Sequence, residues 1–317
     1  MDKQSKIYVA GHRGMVGSAV IRRLQGTGFN HIIVRSSREL DLTQQIETRA
    51  FFQSEKPDCV ILAAARVGGI FANQTYRAEF IYTNLQIEAN VIHSAWQAGV
   101  KRLLFFSSSC VYPRLCPQPM KETDLGSGPL EPTNEPYAMA KLAGMSMCHA
   151  YNDQYGVQFI SVIPSNLYGP NDNYDPQHSH VMAALIQKFH RAKLAGSPQL
   201  TLWGTGAPRR ELLFVDDVAD AVTFVLQQYT GTETLNVGCG QDWTICEIAE
   251  LVRRVVGFKG VINFDTSKPD GMPRKLLDTT RLQGLGWKAQ TSLEEGLRKT
   301  YNCYLQTDAA GESGFFN

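Results

Sequence analysis

Tyr137 and Lys141 stand four residues apart in the run Tyr137-Ala138-Met139-Ala140-Lys141. On an α-helix that spacing is about 400° of rotation, so the phenol and the ammonium share one face. A free phenol ionises near pH ~10, and a neighbouring cation favours the phenolate and lowers that value. The pair therefore reads as a proton shuttle. Ser108, at the end of the preceding apolar run Lys101–Ser107, can complete a hydrogen-bond relay with it.

A second constellation lies near the start of the chain. The run Gly11-His12-Arg13-Gly14-Met15-Val16-Gly17 spaces its glycines Gly-x-x-Gly-x-x-Gly between a strand-like segment and a helical one. A glycine turn of this kind brings backbone N–H groups and the positive end of a helix dipole up to a pyrophosphate. Sites for NAD usually place an acid near the end of the second strand to bind the ribose 2′-hydroxyl. Here that strand runs His31–Arg35 into Ser36-Ser37-Arg38, with no acid among these residues. Arg13, Arg35 and Arg38 suit a 2′-phosphate, so NADPH is the expected cofactor.

The elements that must position these groups alternate. Lys6–Ala10, His31–Arg35, Cys59–Ala65, Lys101–Ser107 and Val157–Pro164 read as strands. Met15–Gln25, Thr43–Ser54, Ala78–Ala98 and Tyr137–Tyr155 read as helices between them. The alternation predicts an α/β fold, a Rossmann-type doubly wound parallel sheet over residues 1–164. Beyond Pro164, the Pro-, Gly-, Asn- and Asp-rich stretch to Pro176 reads as loops walling the cofactor. Phe214–Gln227 (helix) and Leu235–Gly238 (strand) return to the main sheet, so a segment of about 211–240 rejoins the first domain. Residues 165–210 and 241–317, with a helix over Thr244–Val256, are expected to form a smaller substrate-binding lobe.

Composition narrows the class. Lys and Arg total 31 against 30 Asp and Glu, a formal charge of +1, which argues against a broad nucleic-acid or membrane footprint. No apolar run approaches a membrane span, and the opening Met1–Lys6 carries no signal-like region. Seven scattered cysteines then read as reduced thiols, and a cytoplasmic location is expected. His178-Ser179-His180 has the look of a metal pair, but no third ligand is apparent and ketone reduction by NADPH needs no metal, so none is expected.

Glycine turn, serine-bearing strand end and Tyr-x-x-x-Lys together resemble the extended short-chain dehydrogenase/reductase family. Finer motifs are similar to its GDP-4-keto-6-deoxymannose epimerase/reductases. They are Ala63-Ala64-Ala65-Arg66-Val67-Gly68-Gly69-Ile70, Ser108-Ser109-Cys110-Val111-Tyr112-Pro113, Glu131-Pro132-Thr133-Asn134-Glu135-Pro136, Asn166-Leu167-Tyr168-Gly169-Pro170-Asn171-Asp172-Asn173, Trp203-Gly204-Thr205-Gly206, and Lys268-Pro269-Asp270-Gly271 with Arg274-Lys275. The resemblance runs in order along nearly the whole chain.

It implies the reductase triad on Ser108, Tyr137 and Lys141, and the epimerisation pair on Cys110 and His180. A C4 ketone acidifies the hydrogens on C3 and C5, and inverting each centre needs a base on one side and an acid on the other. Thiolate and imidazole can both serve near neutral pH. For the cofactor, it implies Gly11, Arg13, Gly14, Met15, Val16, Gly17, Arg35, Arg38, Ala63, Ala65, Pro164 and Leu167, along with Tyr137, Lys141 and His180. For a GDP-linked keto-deoxysugar it implies Asn166, Lys188, Trp203, Arg210 and Asp270. The family's usual Asn-Ser-His is here His178-Ser179-His180. A homodimer through Ala78–Ala98 and Tyr137–Tyr155 is also implied. The expected reaction is 3,5-epimerisation and NADPH-dependent reduction at C4, yielding GDP-L-fucose. Rival readings are a colitose-forming enzyme that inverts C5 alone, an NAD-dependent 4-epimerase, and a non-catalytic NADPH-binding regulator.

Overall fold

Four runs of the sequence are mostly apolar and bury every residue, or every residue after the first, as strands covered on both faces do. They are β1 (Ile7–Ala10), β3 (Cys59–Leu62), β4 (Arg102–Phe106) and β5 (Gln158–Pro164). In the computed structural model, which describes residues 2–175 and 179–309, they form the centre of a six-stranded parallel sheet. Its order is β2-β1-β3-β4-β5-β9, with the two-residue β2 (Ile32–Ile33) and β9 (Leu235–Val237) at the edges. The strand expected over His31–Arg35 is thus shorter than its apolar pattern suggested.

Alternate residues feed two cores. Tyr8, Val60, Leu62, Leu103, Phe105 and Phe159 pack toward α2 (Gln45–Glu55), α4 (Arg77–Gln97) and α5 (Glu135–Tyr155). Ile7, Val9, Ile61, Leu104, Phe106 and Ile160 pack toward α1 (Met15–Gly26) and α7 (Val215–Gln228). The doubly wound arrangement follows from this period of two. A short α3 (Ile70–Thr75) precedes α4.

A third core lies beyond the sheet. It joins α6 (Val181–Leu194), α8 (Ile245–Val256) and α10 (Leu293–Ala309) through Phe189, Leu212, Phe214, Ile248, Val252, Leu297 and Tyr301. Here β8 (Arg209–Phe214) pairs with β6 (Asn166–Tyr168), β10 (Asp242–Thr244) and β12 (Arg274–Lys275). A separate parallel pair joins β7 (Gln199–Trp203) to β11 (Val261–Asp265), and α9 (Thr280–Gly284) closes the connection. The stretch after Pro164, expected as loops only, therefore contains β6. Its short apolar run is hidden among turn formers and becomes a strand only because β8 lies alongside.

Candidate active site

The glycine turn is built by exclusion. Gly11 leaves β1 with φ +84°, and a Cβ there would lie 2.7 Å from the Ala64 backbone nitrogen. A Cβ on Gly17 would lie 2.2 Å from the Gly11 carbonyl oxygen. Gly11 thus supplies the left-handed turn and Gly17 the close approach of helix to strand. Gly14 caps α1 without any side-chain hydrogen bond, and no acid occupies the first turn. By contrast α8 is sealed by Thr244 and Glu247, whose backbone and side chains bond reciprocally. The α1 N–H groups are left for an anion. Ala63 and Ala64 back the turn, Met15 and Val16 pack their first-turn side chains on the sheet's second core, and Asn171 (φ +65°) donates to Ser18 Oγ at 3.0 Å, holding the 169–173 loop beside α1.

The three arginines divide. Arg13, inside the turn, and Arg38, after β2, are exposed, and neither forms a salt bridge among the described residues. Arg35 points elsewhere: its guanidinium meets Glu55 Oε1 at 2.6 Å, donates to the Val34 carbonyl at 2.8 Å and stacks over Phe51 at 5.5 Å. A carboxylate on α2 already matches its charge, whereas Arg13 and Arg38 carry no such pairing.

Ser108 follows β4, and its Oγ accepts from the Cys110 backbone N–H at 3.3 Å. Asn134 and Pro136 open α5, which delivers Tyr137 and Lys141 on successive turns. The Ser108 hydroxyl lies beside the Tyr137 phenol and favours its ionised form, as a relay between them requires. Lys141, however, is not free to act on the phenol alone. Its Nζ lies 3.0 Å from Glu88 Oε1 on α4, with the two side chains only 3% and 2% exposed. Burial, the Cys110 thiol and the Glu88 carboxylate raise the Tyr137 pKa, and Ser108 only partly opposes them. The net shift of the Tyr137 phenol is thus upward, where the Lys141 spacing alone led to the expectation of a lowering. Glu88 was missed because it reads as one more polar residue of a long helix. Its neighbours in helical register, Asn84, Ile87, Val91 and Ile92, are all buried, and that pattern was the available signal.

Around Cys110 the structure gathers residues from distant segments. Asn134 Nδ2 donates to Sγ at 3.1 Å, and Lys275 Nζ, carried by β12, reaches the same sulfur at 3.7 Å. Negative charge on the sulfur would meet an ammonium and an amide N–H. His180 precedes α6 as its capping residue, open to solvent yet crowded by the cleft. That crowding, then the Lys275 ammonium, pushes its pKa below the ordinary imidazole value. Lys275 therefore touches Cys110 and acts electrically on His180. Asn134 and Lys275 both lay inside motifs already read, without a role. His178 lies outside the described residues.

Farther out, Trp203 ends β7 with its side chain 70% exposed, flanked by Lys188 at 5.8 Å and Lys268 at 5.9 Å over the ring. An exposed indole bracketed by two ammoniums suits a base and its phosphates. Arg210 is anchored through Nη1 to the carbonyls of Met272 (2.7 Å) and Arg209 (2.8 Å). Both Asp270 oxygens hold Thr205, from its backbone N–H at 2.9 Å and its hydroxyl at 2.7 Å, so this carboxylate shapes the turn after Trp203. Asn166 Nδ2 donates to the Glu211 carbonyl at 3.0 Å across β6 and β8, while Leu167 packs into the sheet's second core and Pro164 ends β5.

An open helix N-terminus beyond a parallel strand, unpaired arginines beside it, and a Ser–Tyr–Lys set next to a cysteine define a dinucleotide-dependent enzyme working on a carbonyl or carbinol carbon. The glycine cradle, which a Cβ would fill, and the unpaired Arg13 and Arg38 fit a phosphorylated nicotinamide dinucleotide. The NAD dependent epimerase/dehydratase family matches residues 7–238, and the chain belongs to that family. The chain is 55% identical over 305 residues to GDP-L-fucose synthase 1 of Arabidopsis thaliana, covering 96% of this chain and 94% of that one. It is 51% identical to the GDP-L-fucose synthase of Escherichia coli, over 96% and 98% of the two chains. A GDP-L-colitose synthase of Yersinia pseudotuberculosis is 36% identical, over 95% and 98%. A solved GDP-L-fucose synthetase from Naegleria fowleri, bound to NADP, has a TM-score of 0.91 at 26% identity, covering 98% of this chain and 97% of that one.

Proposed function

We propose that this protein converts GDP-4-keto-6-deoxy-D-mannose to GDP-L-fucose by 3,5-epimerisation followed by NADPH-dependent reduction at C4. The observation that carries the reading is the sharing of one pocket: the reductase groups Ser108 and Tyr137 adjoin Cys110, which itself meets Lys275. Both chemistries need the same carbonyl. Cys110, as thiolate, removes the proton from C3 and from C5, and Lys275 faces the charge on its sulfur. His180 returns a proton to the opposite face; its lowered pKa makes the imidazolium a readier donor. Ser108 and Tyr137 hydrogen-bond the C4 oxygen while it carries enolate charge. Bound NADPH supplies the hydride for C4, and Tyr137 supplies the proton to the oxygen. Arg13, Arg38 and the Gly11–Gly17 turn would hold the dinucleotide, with Trp203, Lys188 and Arg210 holding the GDP end.

Incubating the protein with the keto-sugar and NADPH and identifying the product by NMR tests the proposal. A C4-reduced sugar with unaltered C3 and C5 would defeat the epimerase half. In D₂O, Cys110→Ser is expected to lose deuterium incorporation at both carbons, since a serine hydroxyl is far less acidic than a thiol. Incorporation at the parent rate would make Cys110 a packing residue. The higher identity to fucose-forming than to colitose-forming relatives favours the 3-hydroxylated substrate, and assaying both keto-sugars separates the two.

The reading includes a dinucleotide-binding lobe and a substrate-binding lobe, a cytoplasmic location and a homodimer. Tyr82, Leu85 and Met139 leave apolar surface exposed on α4 and α5, which supports pairing there. A monomeric mass by light scattering at micromolar concentration would remove that element.

A further inference from the structure

Arg209 on β8 and Arg274 on β12 stand directly opposite one another in the parallel pairing of these strands. Like charges in that position repel, so the pair needs a counter-charge. Asp242 supplies it from β10, on the other side of β8. Its Oδ1 accepts from Arg209 Nε at 3.0 Å and its Oδ2 from Arg274 Nε at 2.5 Å, while Arg209 Nη2 donates to the Asp242 carbonyl at 2.8 Å. The Asp242 side chain is 6% exposed, against 39% and 42% for the two arginines, so the carboxylate is the buried centre of the cluster. Glu247 lies 3.8 Å from Arg209, but its Oε2 already accepts from the Thr244 backbone N–H and hydroxyl at the start of α8. One buried carboxylate thus ties three strands together.

What it ties is short and carries a functional group. The strand β12 consists of Arg274 and Lys275 alone. Successive side chains of a strand point to opposite faces. Arg274 turns to Asp242, and Lys275 turns the other way, where its Nζ lies 3.7 Å from Cys110 Sγ. Neighbouring residues are held by other means: the Met272 carbonyl by Arg210, the Leu276 N–H by Gln118 and the Leu277 N–H by Glu211. Those bonds go to backbone groups on either side of β12. The Asp242 tie grips a side chain within it, and so sets the rotation of the strand about its own axis. We infer that Asp242 is a positioning residue for Lys275, pinning β12 through Arg274 so that the Lys275 ammonium is aimed at Cys110. The inference rests on the reading of Cys110 as the base of epimerisation. Without the carboxylate the opposed guanidiniums push β12 away from β8, and Lys275 leaves the sulfur with it. The glycine turn, built from β1 and α1, shares no strand with this clamp.

The test is alkylation of the full chain by iodoacetamide at neutral pH, with the Cys110 peptide followed by mass spectrometry so that the other cysteines do not count. Thiolate is the reacting form and a nearby cation favours it, so Lys275→Met should slow alkylation at least ~5-fold. Asp242→Asn should reproduce most of that loss. The Asp242→Asn/Lys275→Met chain should be no slower than Lys275→Met alone, because one effect runs through the other. NADPH affinity in Asp242→Asn should stay within about twofold of the parent, as expected of a distant, independent site. Alkylation at the parent rate in folded Asp242→Asn overturns the inference, and so does additive slowing in the double variant. Parent-rate alkylation in Lys275→Met overturns it too, since no effective charge is then being delivered. A loss of NADPH affinity equal to the loss of alkylation would mean a general loosening and has the same consequence. Should Asp242→Asn not fold, Arg274→Met decides, for it leaves Asp242 paired with Arg209 and frees β12 alone. Slower alkylation there supports the clamp, and the parent rate overturns it. No turnover enters these rates, so they stand apart from the role of Cys110 as base, which deuterium exchange in Cys110→Ser tests.

Discussion

The glycine turn after β1 and the pocket around Cys110 are built in opposite ways. The turn uses backbone: Gly11 supplies a positive φ, Gly17 a close approach, and Gly14 an uncapped helix start. All of its parts lie within seven consecutive residues. The pocket uses side chains carried by four separated segments, with Cys110 after β4, Asn134 before α5, His180 before α6 and Lys275 on β12. The first can be read in a sequence because its geometry is local. The second exists only after β8 has brought β12 alongside, and it depends on buried acids such as Glu211 to keep that assembly together. Backbone geometry of the first kind does not titrate, whereas pockets of the second kind inherit the pH dependence of what holds them.

The largest expected effect tests whether the side-chain pocket does chemistry at all. Tyr137→Phe removes the phenolic proton while keeping the ring that Phe80 meets edge-on at 6.3 Å. Reductase kcat should fall by roughly 10²–10⁴, the usual worth of a general acid. Deuterium exchange at C3 and C5, which the proposal routes through Cys110 and His180, should fall less. Steady-state NADPH oxidation within about threefold of the parent would remove Tyr137 from the mechanism.

Next in size is the pH dependence of the scaffold. Glu211 is fully buried on β8, where it accepts from the backbone N–H groups of Gly240 at 2.7 Å and Leu277 at 2.9 Å. Burial outweighs those bonds and pushes its pKa up from 4.5 to about 7. A carboxyl whose pKa is raised on folding contributes stability below its unfolded value and loses it as pH rises through the folded one. The contribution should disappear between about pH 4.5 and 7, and a shift of that size corresponds to roughly 3 kcal/mol. Glu211→Gln resembles the protonated carboxyl and should flatten this part of the curve. Urea unfolding of parent and variant at several pH values isolates the difference; parallel curves would mean that Glu211 does not titrate in this range.

Much of this was legible before any coordinates, and the boundary follows range in sequence. The parallel sheet, the phosphate turn and the Tyr137–Lys141 face come from periodicity and spacing, which are local. The Glu88 partner of Lys141 lies 53 positions away, and the Lys275 contact with Cys110 spans 165. Nothing in the local pattern chooses between such partners and solvent. The Arg35 pairing was hidden for the same reason: Glu55, 20 positions away on α2, meets its guanidinium.

The cofactor side is expected to respond more modestly. With Arg13 and Arg38 both changed to Ala, the kcat/KM preference for NADPH over NADH should collapse by at least ~10-fold, since hydrogen bonds to charged groups contribute about 1.5–3 kcal/mol each. An unchanged preference would return the selection of the 2′-phosphate to other residues.

Arg35→Ala supplies the smallest effect and the sharpest contrast within that turn. Three arginines lie near the same helix start, and composition alone treats them alike. In the structure Arg35 spends its guanidinium on Glu55 and the Val34 carbonyl, and its plane on Phe51. A partly exposed ion pair of this kind is worth about 0–1 kcal/mol, and stacking over Phe51 adds a similar amount. The variant should therefore lose a little stability in urea and change its NADPH/NADH ratio by less than about threefold, since RT near 0.6 kcal/mol makes that a sub-kcal/mol effect. If instead the ratio falls as far as it does in the Arg13/Arg38 double variant, Arg35 must leave Glu55 when the dinucleotide enters. Glu55→Gln would then strengthen NADPH binding by releasing the guanidinium, and measured NADPH affinity in that variant would separate a recruited arginine from a committed one.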